Sequence, residues 1–422
     1  MKTLLSALVL GLSANSTLAQ APPSPLEGRT ILAVRVSGLD HIKESVVLAQ
    51  METAPGQPYL TAAAGRDIAR LDRLGVFAAI SLLPVAVDAG VRVDVTVTET
   101  SRIAAGIALA VTDENGASAG PALKLTSVAG HPLDAGVITR FGGETLVAFR
   151  EISPQLTSRR LWHNASLSFS DRFNALEQFE QRSVDLDTRI GFRSSEQWRS
   201  GAIFKFYGVG SDVSGVTLSP DNHDSFKSIG GITEYDNRDS FRAPSRGWLN
   251  SVDALWTTGS GQYATLNVDV RRYQPVARRQ VILATALVTV QSGREGVDVP
   301  AYADYALGGE NTVRGRAFAA RRGKNQFIST IEYRYTAVPT RSFRVFGLNL
   351  YGGLALAAFT DVGSAWTRAD GFSDGVIAGG GIGLRLYIPY VNMIRLDLSV
   401  GSGVHGGIGI GEKAVAQRER VR

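Results

Sequence analysis

Ile382-Gly383-Leu384-Arg385-Leu386-Tyr387-Ile388 and, one turn later, Ile394-Arg395-Leu396-Asp397-Leu398-Ser399-Val400 decide the fold of this chain. In both, an aliphatic residue holds every second position, and glycine, a charge or a polar group holds those between. A period of two belongs to a β-strand, whose successive side chains point to opposite faces. Each stretch is therefore a strand with one apolar and one polar face. The pattern recurs upstream, where Leu266, Val268 and Val270 alternate with Asn267, Asp269 and Arg271. It recurs again where Val184, Leu186, Ile190 and Phe192 stand among Asp185, Asp187 and Arg189. From residue 102 onward no helical period is present.

Alternation alone leaves open which face points outward. A soluble sandwich turns its apolar faces in, whereas a membrane barrel turns them to lipid around a polar lumen. Three features favour the barrel. The strand pattern runs almost without interruption to the C-terminal region, and at roughly ten residues per membrane strand plus turns it accommodates an even number near sixteen. Residues 1–19 read as an export signal, with Lys2, an apolar run over residues 4–12 and Thr17-Leu18-Ala19 as a small-residue cleavage site. Trp162, Trp198, Trp248, Trp256 and Trp366 fall mostly near strand ends, where an interfacial girdle would place them. No stretch reaches the roughly 18 apolar residues of a spanning helix. The chain has no cysteine, which excludes disulfides, thiol catalysis and cysteine metal sites. Its net charge of +5 is modest and its arginines are scattered, which argues against nucleic acid as a partner.

Residues 20–29 form a short proline-rich leader, and residues 30–100 a separate βααββ unit. Ile31, Ala33 and Val36 alternate in the first strand, which ends at Gly38. Ile42, Val46 and Val47 carry helical spacing up to Pro55-Gly56. Thr61 is the expected cap of a second helix, with Ile68, Leu71 and Leu74 on one face and Gly75 as its stop. Residues 76–84 and 91–98 read as two further strands, closed by Glu99.

Two motifs stand out in the last third of the chain. Gly308-Gly309-Glu310-Asn311-Thr312-Val313-Arg314-Gly315 precedes Phe359-Thr360-Asp361-Val362-Gly363, and a strand carrying the acid Glu332 lies between them. This set resembles the Val-Arg-Gly loop and Phe-x-Asp strand of the BamA/TamA-like outer-membrane protein assembly superfamily, the POTRA-plus-barrel or bacterial surface antigen proteins. The order of elements in residues 30–100, with Gly75-Val76-Phe77, resembles one POTRA domain. Tyr235-Asp236-Asn237-Arg238-Asp239 running on to Pro244-Ser245-Arg246-Gly247-Trp248 is similar to a strand-turn-strand of the same barrels.

The resemblance implies a transmembrane barrel over residues 101–414 in the outer membrane, a periplasmic POTRA domain, and a charged C-terminal tail over residues 415–422. It implies that Val313, Arg314 and Gly315 fold back into the lumen. By strand parity Glu332 and Asp361 face that lumen, so an Arg314–Asp361 pair is expected, with Glu332 as second partner and Phe359 beside them. Arg316 stands where relatives usually carry an aromatic, and Ala414 where they usually end on one. The implied function is insertion or translocation of client proteins without cofactor, metal or covalent catalysis. The partners would be unfolded outer-membrane or secreted proteins, the bilayer, and periplasmic or lipoprotein factors. Its physical basis would be a barrel whose first strand (residues 102–111) and last strand (residues 404–413) pair poorly, the latter weakened by Gly406, Gly407, Gly409 and Gly411.

Two other readings remain open here. A passive pore would use the same polar lumen, with Arg271, Arg272, Arg278, Arg279, Arg321 and Arg322 favouring anions. A barrel phospholipase would need a serine and partners on separate strands, and no local signature marks them. The GxGxxG match over residues 401–406 is discarded because no helix is expected after it. His41, His131, His163, His223 and His405 are dispersed without metal spacing.

Overall fold

The computed structural model describes residues 24–413, except residues 113, 154–160, 241–242, 346–347, 368–370, 389–391 and 412. The export signal, most of the leader, Ala414 and the charged tail lie outside the described residues.

The N-terminal unit contains β1 (Ile31–Ser37), α1 (Glu44–Gln50), α2 (Thr61–Arg73), β2 (Phe77–Val87) and β3 (Gly90–Glu99). The sheet order is β1-β3-β2, with β1 parallel and β2 antiparallel to β3. The central strand supplies Val91, Val93, Val95 and Val97 to a core completed by Ile31, Val46, Val47, Leu71 and Phe77. Polar side chains tie the loops to this core. The Glu99 carboxylate accepts the backbone N–H groups of Asp40, His41 and Ile42, each at 2.9 Å. Buried Asp67 accepts those of Glu52 and Thr53 at 2.8 and 2.9 Å. Thr61 does not cap α2. It is the first helical residue, and the Glu27 carboxylate accepts both its N–H and its hydroxyl. A carboxylate in the preceding segment replaces the expected hydroxyl at the positive end of the helix dipole.

The rest of the chain is a sixteen-stranded antiparallel sheet curled into a barrel. Its first half is β4 (Ile103–Thr112), β5 (Gly116–Val128), β6 (His131–Gly142), β7 (Glu144–Ser153), β8 (Leu161–Asn174), β9 (Phe179–Arg193), β10 (Trp198–Ser211) and β11 (His223–Asp236). Next come β12 (Gly247–Gly259), β13 (Tyr263–Ala277) and β14 (Gln280–Gln291). A small hairpin outside the wall sheet, β15 (Tyr305–Leu307) and β16 (Arg321–Gly323), interrupts the series. The wall resumes with β17 (Asn325–Val345), β18 (Leu348–Trp366), β19 (Ile377–Ile388), β20 (Asn392–Val400) and β21 (Val404–Ile410). Each wall strand is laddered to the next, β14 passing directly to β17.

Burial decides which face points outward. Ile107 is 71% exposed, Ile382 61% and Leu398 52%, whereas Arg385 and Arg395 are at most 1% exposed. An exposed aliphatic band around a buried charged interior is the arrangement that lipid selects. Not every tryptophan joins that band. Trp198 and Trp256 face outward, but Trp162 is buried with Ile203, Ile232 and Leu255 and lies under the Arg199 guanidinium. Its position near a strand end is shared with the girdle, and its parity is not.

The sheet does not close. Its order ends at β21 on one side and β4 on the other, and among the described residues no ladder joins them. The last strand is shorter than its expected span, ending at Ile410. The N-terminal unit sits at one end of the barrel, called proximal here. The end of α2 reaches the β11–β12 turn, where Ser240 donates to Asp72 at 3.1 Å and Arg73 to the Arg238 carbonyl at 3.5 Å.

Candidate functional site

Residues 292–324 connect β14 to β17 at the distal end and turn back into the lumen. Left-handed backbone at Gly308 (φ +117°), Gly309 (φ +85°) and Gly315 (φ +81°) makes this turn tight. The Thr312 hydroxyl closes it, donating to the Gly308 carbonyl at 2.7 Å and accepting the Gly308 N–H at 2.8 Å. Val313 anchors it in an apolar cluster with Leu287, Leu307, Ile328, Ala365 and Ile377. Gly315 lies against the wall, where a Cβ would stand 2.4 Å from the Val400 carbonyl oxygen. Its own carbonyl accepts the Ser402 N–H at 2.8 Å. The loop is thus hydrogen-bonded to the β20–β21 turn, on the side of the barrel where the sheet ends.

This seating delivers Arg314 to the centre of a buried ion network. Its Nε and Nη2 donate to the two oxygens of Asp361 at 2.7 and 3.0 Å, and its backbone N–H adds a third bond at 3.1 Å. Its Nη1 reaches Asp397 at 2.9 Å and Glu332 at 3.3 Å. The guanidinium lies 3.3 Å from the Phe359 ring centroid. Glu332 is therefore the longest of the three acidic contacts. Its stronger partners are Arg385, through bonds of 2.8 and 2.6 Å, and Arg334 at 2.7 Å. Arg385 also donates to Asp397 at 2.5 Å. The forked, paired geometry is what a planar guanidinium offers a carboxylate.

Four members escaped the motif reading. Arg385, Arg395 and Asp397 were visible only as polar alternants of their strands, and inward parity was the signal available. Lys413 is the last residue of the strand expected over residues 404–413, but the observed strand ends at Ile410 and Lys413 lies beyond it. The chain turns inward after Ile410, and the Lys413 ammonium, buried, pairs with Asp361 at 2.7 Å and donates to the Thr312 carbonyl. Arg395 donates to the Gly411 and Glu310 carbonyls at 2.9 and 3.2 Å and to the Asn311 side chain at 3.0 Å. The end of the last strand and the lumen loop thus share partners.

The seam glycines divide into two kinds. A Cβ on Gly407 would fall 1.8 Å from the Glu310 side chain, and one on Gly409 would fall 2.2 Å from the Arg395 guanidinium. These two clear room for the loop and the network. Gly406 and Gly411 have nothing within 4 Å, and Gly411 turns the chain with φ +70°.

The arginines proposed to line a pore do not share a path. Arg271 faces inward and is paired with Asp269, while Arg322 bonds Glu177 and Asp304 in the distal loops. Arg278 and Arg279 lie in an exposed proximal turn, and Arg272 points out of the barrel. The void enclosed by Arg271, Arg314, Glu332, Arg395 and Lys413 is about 10 Å³, at the lower limit for one water. Among the described residues no group of three or more His, Cys, Asp or Glu is placed to hold a metal. Gly401 to Gly406 lead into a strand, not a helix.

A lipid-facing sixteen-stranded barrel with an unjoined seam, a lumen loop and a small α+β unit defines a class of outer-membrane transport and assembly proteins. The Omp85 superfamily domain matches residues 135–406, well over half of the chain, and the chain belongs to that family. BamA from Haemophilus ducreyi lacking POTRA domains 1–3 is similar in fold, with a TM-score of 0.54 and 16% identity over 91% of this chain and 83% of that one. CdiB from Escherichia coli gives a TM-score of 0.56 and 15% identity over 92% and 75%. CdiB from Acinetobacter baumannii gives 0.55 and 12% over 92% and 72%. No curated protein sequence matches the chain. The protein is an outer-membrane barrel, its N-terminal unit is consistent with one POTRA and would be periplasmic, and the proximal end is the periplasmic end. The BamA- and CdiB-type members of the family are non-enzymatic transport and assembly proteins.

Proposed function

We propose that this protein inserts client β-barrels into the outer membrane, or passes secreted clients across it, through the β4–β21 seam. The observation that carries the reading is that, among the described residues, no ladder joins these strands in a sheet whose neighbouring strands are otherwise paired. An unpaired edge presents N–H and C=O groups that an incoming strand can use. The inward positions of β4 are Ala104, Gly106, Ala108, Ala110 and Thr112, all small, so no bulky lumen side chain anchors this edge. A cleft of about 610 Å³, lined by Glu99, Arg102, Ile103 and Arg344, opens at the foot of β4 beside the POTRA-like unit, residues 30–100. That unit would hold client segments on its sheet edge and deliver them there. The ion network around Arg314 would fix the loop and hold the seam side of the wall in register, with Val313, Arg314, Gly315, Glu332, Phe359 and Asp361 in structural roles. A lumen filled at this level favours lateral exchange over a passive pore.

The test is reconstitution into liposomes and the folding rate of an unfolded outer-membrane barrel added from outside. Insertion should accelerate, and deletion of residues 30–100 should remove most of the acceleration. Steady ion conductance without acceleration would favour the pore, and calcium-dependent lipid hydrolysis would favour the phospholipase.

A further inference from the structure

We propose that the outer wall at the periplasmic end of β12 and β13 carries a binding site for the phosphate of a phospholipid headgroup, built from Arg272, Trp248 and Arg246. Arg272 shares the parity of Leu266, Val268 and Val270, the outward face of β13, whereas Asp269, Arg271 and Tyr273 are buried inward. Trp248 is its direct cross-strand partner and therefore lies on the same outer face. The guanidinium sits 5.0 Å from the Trp248 ring, an orienting cation–π contact. Its Nη2 donates to Gln274, and its Nε is buried without a hydrogen-bond partner. Arg246 precedes β12 by one residue. Asp239 spends its carboxylate on Ser245 and on the Arg246 backbone N–H, leaving the exposed guanidinium unengaged by that acid.

Charge balance points to the ligand. Elsewhere on the outer wall Glu151 meets His163 at 2.6 Å. Among the described residues neither Arg272 nor Arg246 has a carboxylate partner. An unpaired cation on a lipid-facing wall is costly unless it reaches the headgroup layer. The neighbouring tryptophan and the first residues of β12 place it at that depth. With Nε enclosed by protein atoms and one Nη2 hydrogen given to Gln274, the Nη1 and remaining Nη2 donors form the edge that matches a phosphate in two hydrogen bonds. Exposed Val252 and Leu266 continue the same outer face towards the membrane interior, where acyl chains would lie. The exposed Arg278 and Arg279 extend the positive field at the same end. These features favour a lipid over free phosphate.

Native mass spectrometry of the full chain in detergent tests the site. It is titrated with phosphatidylglycerol, phosphatidylethanolamine or diacylglycerol, and heat-modifiable gel mobility reports folding. The wild type should retain the two phospholipids and not diacylglycerol, and R246Q/R272Q should retain them about tenfold less. Arg246→Gln alone, at an exposed turn, is the second variant and should lower retention about threefold. Equal retention in wild type and folded variants overturns the proposal. So does diacylglycerol binding as well as phospholipid, or displacement of the lipid by millimolar inorganic phosphate.

Discussion

Replacing Arg314 by alanine removes the centre of the lumen network. The substitution deletes four side-chain contacts, two to Asp361 and one each to Asp397 and Glu332, and leaves the backbone bond to Asp361 in place. Breaking a buried ion pair by removing one partner costs about 3–5 kcal/mol, because the charge left behind is desolvated. Here each acid keeps other partners: Asp361 keeps Lys413 and the Thr330 hydroxyl, Asp397 keeps Arg385, and Glu332 keeps Arg385 and Arg334. The expected loss is therefore at the lower end, about 3 kcal/mol, or roughly two orders of magnitude in the balance between seated and released loop. Hydrogen exchange at the Gly309 and Ser402 amides, bonded to the Arg316 and Gly315 carbonyls, reads this opening directly. An increase of about a hundredfold is predicted, with new protease cleavage within residues 292–324. Exchange and cleavage at wild-type rates would refute the reasoning. An Arg314→Asp, Asp361→Arg exchange should recover part of the loss.

Lys413→Ala should release the end of the last strand from Asp361 and Thr312, raising exchange across β21 about tenfold or more, and unchanged protection there would argue against the tether. Gly409→Ala should cost about 1–3 kcal/mol in urea unfolding, because Arg395 is held by Gly411, Glu310 and Asn311 and cannot move aside; Gly406→Ala, in open space, should be neutral. In the N-terminal unit, the Arg66 hydrogen bond, then Arg70, hold the Glu52 carboxyl below its ordinary range. Its stabilising contribution is present above the unfolded carboxyl pKa of about 4.3 and is lost as pH falls through the folded value, so Glu52→Gln should flatten the acid limb of unfolding for residues 30–100.

Alternation made the barrel legible because lipid and lumen demand opposite chemistries at adjacent positions, and Ile382 to Ile388 state that demand in seven residues. The Arg314–Asp361 partnership was legible because parity placed Asp361 inward and the motif placed the arginine in a loop. Parity gave an equal claim to Arg385, Arg395 and Asp397, but nothing local said that they converge, since convergence depends on which strands are neighbours around the barrel. A strand over residues 404–413 gives Lys413 the inward parity of Gly407 and Gly409, but its contacts with Asp361 and Thr312 follow from where the chain turns after Ile410. The seam glycines show the same limit. Sequence reports that Gly407 and Gly409 lack side chains, and only the fold reports that Glu310 and Arg395 occupy the space. Trp162 and Trp198 were indistinguishable by position and are separated by parity alone.

Locking the seam tests the central claim most directly. The chain has no cysteine, so pairs introduced along β4 (Ile103–Thr112) and β21 (Val404–Ile410) form disulfides without background. In liposomes, the oxidised, locked protein should lose its acceleration of client folding and regain it on reduction. Acceleration that persists in a fully crosslinked barrel would contradict a lateral route through the β4–β21 edge.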